Sequence, residues 1–440
     1  MISRNEELAL TFSEMIQCET VSHASDGPAE IQKFYRFRDR LKELFPSLWK
    51  TAEYEDFDGS IVLCWKGREE GKLPFMFMSH QDTVEAEGEW KYPPFSGTVA
   101  DGKIYGRGTL DTKCGIFFMY QAAEELIREG FVPSRDIYFV STRNEECTGL
   151  AGDQISKEFL RRGLRFELVL DEGGYIMQDP FNCTNKEFAM AAVAEKNYSD
   201  LRFYARGEGG HASVPPKNSP LVRLGRFMAE VEDSDLFTVE ITPTLQEMLL
   251  RMAPFMPEPY REKCADPAAN AEWIKENLPK LSPKAASLMA TSIAFTMAKG
   301  SDAYNVMPTA AWVFASMRIS HHQGAEASRE AVRKIAEKYD VFMDVEDPGY
   351  ESGVASTEST GFRFVEEAVE AVYPGLPVVP YIMTGGTDSR YMTRLSDCVI
   401  KFMPARISEE EYLSIHAPNE CMKVEVLSDA VETYRYLMKR

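Results

Sequence analysis

No stretch of the 440 residues stays apolar for the roughly 18 positions a membrane-spanning helix needs, so no part reads as a membrane span. The N-terminus, MISRNEELALTFSEMIQ, lacks the continuous apolar core of a secretion signal and is broken by acidic residues. The eight cysteines (Cys18, Cys64, Cys114, Cys147, Cys183, Cys264, Cys398 and Cys421) form no C-x-x-C and no close pairs. That spread suits reduced thiols in the cytoplasm better than a disulfide framework. Positive charge is also short: 49 Lys and Arg face 69 Asp and Glu, a formal net charge of −20. Such a field repels nucleic acid and anionic membrane, so neither is expected as a partner, and its plain role is solubility. Internal repeats and low-complexity segments are missing as well.

What is present is ordinary globular composition, 44% hydrophobic and 27% charged. The length implies two domains with their own cores. Residues 5–17 and 29–45 read as amphipathic helices. Apolar runs at Leu73–Met78, Asp136–Ser141 and Glu167–Leu170 then alternate with a helical stretch from Thr112 to Arg128, which Gly130 would stop. Buried strands alternating with helices predict an α/β fold with a mostly parallel sheet flanked by helices. The pattern changes after residue 186. A polar strand (LRFYARG), a helix at 221–231, a Pro-interrupted helical section, a strand (TAAWVFASMRIS), a helix at 325–338 and a strand (DVFMDVE) predict a smaller inserted α+β domain over 187–350. The α/β pattern returns over 351–440, with a helix at 361–372, strands LPVVPYIM and DCVIKFM, and a last helix from Val424.

Each of the three early strands runs into groups that can bind a metal: Ser79-His80-Gln81-Asp82, Arg143-Asn144-Glu145-Glu146 and Asp171-Glu172. In open α/β sheets the carboxyl ends of the strands form the ligand crevice. One such ending is unremarkable, since polar residues end strands; three together point to a site. Asp111 follows the glycine-rich turn Tyr105-Gly106-Arg107-Gly108 at the entrance to a long helix, where the dipole favours a carboxylate able to bridge two cations. His416, in Ser414-Ile415-His416-Ala417-Pro418, is a fifth candidate. Imidazole and carboxylate together suit Zn²⁺, and a two-zinc site lowers the pKa of a water and polarises a carbonyl. Glu145, beside Glu146, is placed to take the water's proton. Asp171 competes with Glu172 as ligand and is favoured because it lies nearer the strand.

These motifs resemble the co-catalytic zinc peptidase and deacylase family of carboxypeptidase G, aminoacylase, acetylornithine deacetylase and succinyl-diaminopimelate desuccinylase. The carboxypeptidase S (Gly-Xaa carboxypeptidase) branch is the nearest in look, through Leu170-Asp171-Glu172-Gly173-Gly174 and Gly385-Gly386-Thr387-Asp388-Ser389-Arg390. The likeness runs from about Gln17 to the C-terminus. It is sharpest over Trp90, Pro94-Phe95-Ser96-Gly97, Asp101-Gly102, Tyr105-Gly106-Arg107-Gly108, Asp111 and Lys113.

The resemblance implies two zinc ions per subunit, with Co²⁺ or Mn²⁺ as substitutes. His80 and Asp171 would hold one, Glu146 and His416 the other, and Asp111 would bridge. Asp82 would orient the His80 ring. Glu145 would be general base and acid. It further implies that the 187–350 domain is a lid and dimerisation domain on a catalytic domain, in a homodimer. Within it His211 would stabilise the oxyanion, and Asn305 and Arg318, with the loop of Gly385, Gly386, Thr387 and Arg390, would grip the substrate carboxylate. Thr112, Thr142-Arg143-Asn144 and Tyr391 depart from the common pattern at positions that bear on substrate preference. The expected activity is hydrolysis of small peptides with a free carboxylate. Cleavage of N-acyl amino acids is the alternative, and a non-catalytic binding relative the remote one.

Overall fold

The computed structural model describes every residue except Met1, Pro28, Pro180 and Asn182, and the backbone but not the side chain of Pro283. Two compact units divide the chain: Met1–Ala194 together with Gly353–Arg440, and Glu195–Ser352.

Among the described residues of the first unit, nine strands form one sheet. Its centre is parallel: Phe75–His80 lies between Ile137–Thr142 and Leu168–Asp171, and Val399–Lys401 continues beyond Leu168–Asp171. Every side chain of those three early strands is buried, which is why they read as unbroken apolar runs. Antiparallel strands flank this centre. On one side the hairpin Glu53–Phe57 and Ser60–Trp65 joins Ile137–Thr142. On the other, Glu187–Glu195 pairs with Val399–Lys401. The expected boundary at 186 assigns Glu187–Glu195 to the inserted domain. Its run from Phe188 to Glu195 is buried, as a central strand requires, and the first unit extends to Ala194.

The helix Arg4–Ile16 starts at a capping box, with Ser3 accepting from the Glu6 N–H and Glu6 from the Ser3 N–H. The helix Lys113–Arg128 buries most of its side chains, among them Phe117, Phe118 and Tyr120, and ends where Gly130 takes φ +80°. With Thr360–Val372 and Leu427–Met438 these helices pack on the sheet in one continuous apolar core.

The second unit is a four-stranded antiparallel sheet in the order Ser292–Lys299, Ala310–Ile319, Asn197–Arg206, Phe342–Asp347. Burial alternates strictly along Asn197–Arg206, so one face carries Leu201, Phe203 and Ala205. The helices Pro220–Asp233 and Ala325–Lys338 cover that face with Leu224, Phe227, Val332 and Ile335. The Pro-rich section forms short helices from Pro243–Met252 to Pro283–Met289, three of them with Pro in the first turn.

Candidate metal centre

The site sits at the carboxyl ends of the parallel strands. His80 pairs level with Thr142, so Glu145 and Glu146, three and four residues further on, emerge beside it. A separate three-stranded sheet brings in the remaining groups. Lys103–Tyr105 pairs with Cys421–Lys423, so the chain leaving Tyr105 and the chain arriving at Cys421 run side by side. The Gly106 N–H donates to the Glu420 carbonyl at 2.9 Å. Asp111 and His416 thereby meet although 304 residues intervene. Glycine is required in this turn: Gly106 and Gly108 take φ +155° and +89°, and a Cβ on Gly106 would stand 2.4 Å from the Ile16 side chain.

Glu420 fastens the turn. Wholly buried, it accepts from Arg107 Nη1 at 2.7 Å and Gly108 N at 3.2 Å through one oxygen. The other oxygen accepts from Leu110 N at 2.7 Å and Asp111 N at 3.1 Å. Nothing in the sequence marks this glutamate beyond its place four residues after His416.

Two imidazole nitrogens face paired carboxylates. His80 Nε2 is 2.9 Å from Asp111 Oδ1 and 3.3 Å from Glu172 Oε1. His416 Nε2 is 3.0 Å from Asp111 Oδ2 and 3.1 Å from Glu146 Oε2. Asp111 thus stands between the two histidines, one oxygen to each. Ligand atoms of His80, Asp111 and Glu146 all lie within 4.8 Å of one another, as do those of His80, Glu145 and Glu172. His416 takes φ +61°, a left-handed backbone that a non-glycine residue holds at some cost.

Asp171, the expected ligand at its strand end, turns away and accepts the Ser389 N–H at 3.1 Å. Neighbouring residues of an extended chain point to opposite sides, so Glu172 faces His80 instead. Of the adjacent acids it is thus Glu172, and not Asp171, that lies within 3.3 Å of a His80 ring nitrogen. Asp82, expected to orient the His80 ring, meets it through both its carbonyl and its carboxylate. The His80 Nδ1–H donates to the Asp82 backbone carbonyl at 2.9 Å, while the carboxylate is 3.4 Å away. That carboxylate accepts from Ser22 Oγ at 2.6 Å, Glu145 N at 3.2 Å and Glu146 N at 3.1 Å. It holds the acidic pair as well as standing by the ring.

The electrostatics of this cluster call for positive charge. Burial pushes the Glu172 carboxyl up to about 8 and the Glu146 carboxyl above its ordinary range. Burial also raises Glu145 well above normal; His80 opposes this, and the carboxylates of Glu172, Asp388 and Glu146 add to it. Burial disfavours a charged His80, but Glu172, Asp111 and Asp82 outweigh it and hold its pKa well above the usual value. Hydrogen bonds to Asp111 and Glu146 push His416 up to about 10. Glu146 Oε1 is buried with no hydrogen-bond partner among the described residues. Borderline nitrogen and hard oxygen donors, crowded and short of positive charge, fit a divalent cation.

Of the expected substrate-side residues, Gly385 and Gly386 are exposed, Thr387 is buried and Arg390 is half-buried, all in the first unit. His211, Asn305 and Arg318 lie in the second. His211 lies in a two-stranded ribbon, Gly210–His211 against Val306–Met307; Asn305 immediately precedes the second strand, and its carbonyl accepts the Ala212 N–H. His211 Nδ1 accepts the Ser213 N–H at 3.1 Å, which leaves Nε2 as the protonated nitrogen. Arg318 is apart from that ribbon, near the far end of the strand Ala310–Ile319, with its guanidinium 5.9 Å from the centre of the Tyr198 ring.

The chain is 27% identical over 444 residues to the human N-fatty-acyl-amino acid synthase/hydrolase, covering 98% of this chain and 87% of the relative. It is 25% identical over 476 residues to carboxypeptidase S of Saccharomyces cerevisiae, covering 94% and 80%. Among solved structures, an M20 family metallo-carboxypeptidase from Sulfolobus solfataricus superposes with TM-score 0.70 at 17% identity, covering 100% of this chain and 99% of that one. Human carnosine dipeptidase 1 also gives TM-score 0.70, at 15% identity, covering 99% and 96%. Residues 76–440 match peptidase family M20/M25/M40. The chain belongs to that family, whose metallopeptidases use metal ions, and is an enzyme of the metallopeptidase/amidohydrolase class.

Proposed function

We propose that this chain is a two-zinc hydrolase that cleaves the amide bond of small peptides bearing a free carboxylate, as a dipeptidase or carboxypeptidase does. The observation that carries the reading is Asp111, with one oxygen on His80 and the other on His416. Around that bridge His80 and Glu172 form one ligand group, and Glu146 and His416 the other. Asp171, committed to Ser389, leaves the ligand set. Zn²⁺ matches the donors best, with Co²⁺ or Mn²⁺ as substitutes. Metal bound there supplies Lewis-acid polarisation of the scissile carbonyl and a more acidic attacking water.

The chain's own groups do the rest. Glu145 takes the water's proton and returns it to the leaving amine; its raised affinity for a proton, caused first by burial, suits that double task. Asp82 fixes Glu145 through its backbone N–H. His211, with Nε2–H as donor, serves the developing oxyanion, and Arg318, Asn305 and the 385–390 loop take the substrate carboxylate. A homodimer, with the Glu195–Ser352 unit as lid and dimerisation domain, belongs to the same reading, as does a reducing cytoplasm for eight unbridged cysteines. Among the described residues no helix is long and apolar enough to cross a membrane.

A second reading, hydrolysis of N-acyl amino acids, is favoured by the human relative matched over nearly the whole chain. The test is hydrolysis of Gly-Leu, N-acetyl-Met and N-succinyl-diaminopimelate with and without added Zn²⁺, beside a Glu145→Gln control. Metal-dependent cleavage lost in the control supports the mechanism, and the preferred substrate selects the reading. Metal-loaded protein that cleaves none of the three refutes both substrate classes.

A further inference from the structure

The DEGG motif divides its labour between its two acids. Glu172 faces His80, whereas Asp171 is buried and turned onto the segment after the Gly385-Gly386 tip. That segment, Asp388–Arg394, is a 3₁₀ helix. It is tied down on two sides. On one, Asp171 Oδ2 accepts the Ser389 N–H at 3.1 Å, and the Asp171 carbonyl accepts the Phe402 N–H at 2.8 Å, so the acceptor stands on a paired strand of the central sheet. On the other lies the helix Leu150–Arg161, which follows Glu145-Glu146 in the chain. Gly149 and Gly152 leave room there for Asp388: a Cβ on Gly152 would stand 2.9 Å from the Asp388 side chain. Arg394 Nη1 closes this side on Asp153 Oδ1 at 2.7 Å and Ser156 Oγ at 2.9 Å. Within the segment Thr387 Oγ1 and Ser389 Oγ are 2.7 Å apart, and the Arg390 N–H donates to the Thr387 carbonyl. The exposed glycine tip therefore hangs from an anchor one residue away from Glu172.

We propose that Asp171 is a positioning residue: its carboxylate, through the Ser389 N–H, sets the register of the 385–390 loop relative to the metal cluster and so governs affinity for the substrate's carboxylate. This rests on the reading that the loop contacts the substrate. Its chemical requirement is a hydrogen-bond acceptor at the Asp171 position, not a metal ligand. Asparagine, with one amide oxygen, meets that requirement; alanine does not.

The experiment compares the holoenzyme with Asp171→Ala, Asp171→Asn and Glu172→Gln. It measures metal per chain, kcat and KM on the best free-carboxylate substrate, and hydrogen exchange of residues 384–391. In Asp171→Ala, metal content is retained, the segment exchanges faster and KM rises about tenfold, the worth of one lost hydrogen bond, with kcat little changed. Asp171→Asn restores both exchange and KM, while Glu172→Gln loses metal. Loss of metal in Asp171→Asn, or an alanine variant that exchanges as slowly as wild type, overturns the proposal. Asp171→Asn is nearly isosteric, so its metal content decides the matter even if the alanine variant does not fold. Should the wild type turn over no free-carboxylate substrate, the substrate reading fails alone, and exchange and metal content still judge the anchor.

Discussion

Replacing Glu420 with glutamine tests how much the site owes to a residue outside it. The change is isosteric, yet every partner of the carboxylate is a donor: Arg107 Nη1 and Gly108 N on one oxygen, Leu110 N and Asp111 N on the other. An amide has one acceptor oxygen. Whichever way it turns, its NH₂ meets two donors, and the Arg107 guanidinium, 1% exposed, loses its countercharge. Breaking a buried ion pair by removing one partner costs about 3–5 kcal/mol, most of it the uncompensated charge left behind. The double variant Arg107→Met/Glu420→Leu removes both charges and regains part of that loss. It cannot regain all of it, because each buried N–H left without an acceptor costs about 1–3 kcal/mol.

Urea unfolding of the metal-free protein, followed for the unit that carries the site, measures the stability term. Metal retention against a graded chelator series measures the functional one, since the same oxygens hold the Asp111 backbone. Glu420→Gln is expected to lose at least about 3 kcal/mol and to release metal at lower chelator concentration than wild type. A variant within about 1 kcal/mol of wild type, with unchanged metal retention, would falsify the claim that Glu420 holds the Asp111 turn.

Further expectations can be checked singly. Glu145→Gln keeps its metal and fold but lowers kcat by about 10²–10⁴, and activity above a tenth of wild type sinks the general-base role. Removing metal with a chelator lowers the unfolding temperature and adding Zn²⁺ restores it; with metal at a hundredfold its dissociation constant the difference is about 2.7 kcal/mol, and equal melting curves in calorimetry contradict a resident cation. Gly174→Ala drives a Cβ to within 1.8 Å of the Met190 carbonyl oxygen, a backbone clash expected to cost about 3 kcal/mol or more in denaturant unfolding. Burial, aided by the charge of Arg318, lowers the Lys196 ammonium to about 8, so its charged form penalises the native state in full below pH 8 and progressively less up to the unfolded value of 10.5. The stability of wild type relative to Lys196→Met therefore rises across that window, by at most about 3 kcal/mol, and a flat difference refutes it.

The α/β class and most elements were legible because burial writes itself into composition. Phe75–His80, Ile137–Thr142 and Leu168–Asp171 are covered on both faces, so they had to be continuous apolar runs. Asn197–Arg206 faces solvent on one side and alternates accordingly. The strand Ser292–Lys299 was not legible, for it is an edge strand with exposed and half-buried positions and no apolar run. The hairpin Glu53–Phe57/Ser60–Trp65 escaped notice too; its first strand has no buried residue to betray it.

The site divides along a different line. Which residue types gather there could be read from strand ends, since the sheet itself delivers His80, Glu145, Glu146 and the 171–172 pair to one edge. Which member of an adjacent acidic pair faces inward could not, because a shift of one residue reverses the side chain's direction and composition carries no record of that phase. Asp171 was favoured over Glu172 for its place in the chain, whereas the structure turns Glu172 toward His80 and Asp171 toward Ser389. Glu420 was invisible for another: a carboxylate looks alike in sequence whether water or four protein donors surround it. Its burial follows from the pairing of Cys421–Lys423 with Lys103–Tyr105, a contact across more than 300 residues. The residues that hold ligands in place are thus the hardest to foresee, because their chemistry is created by the fold rather than brought to it.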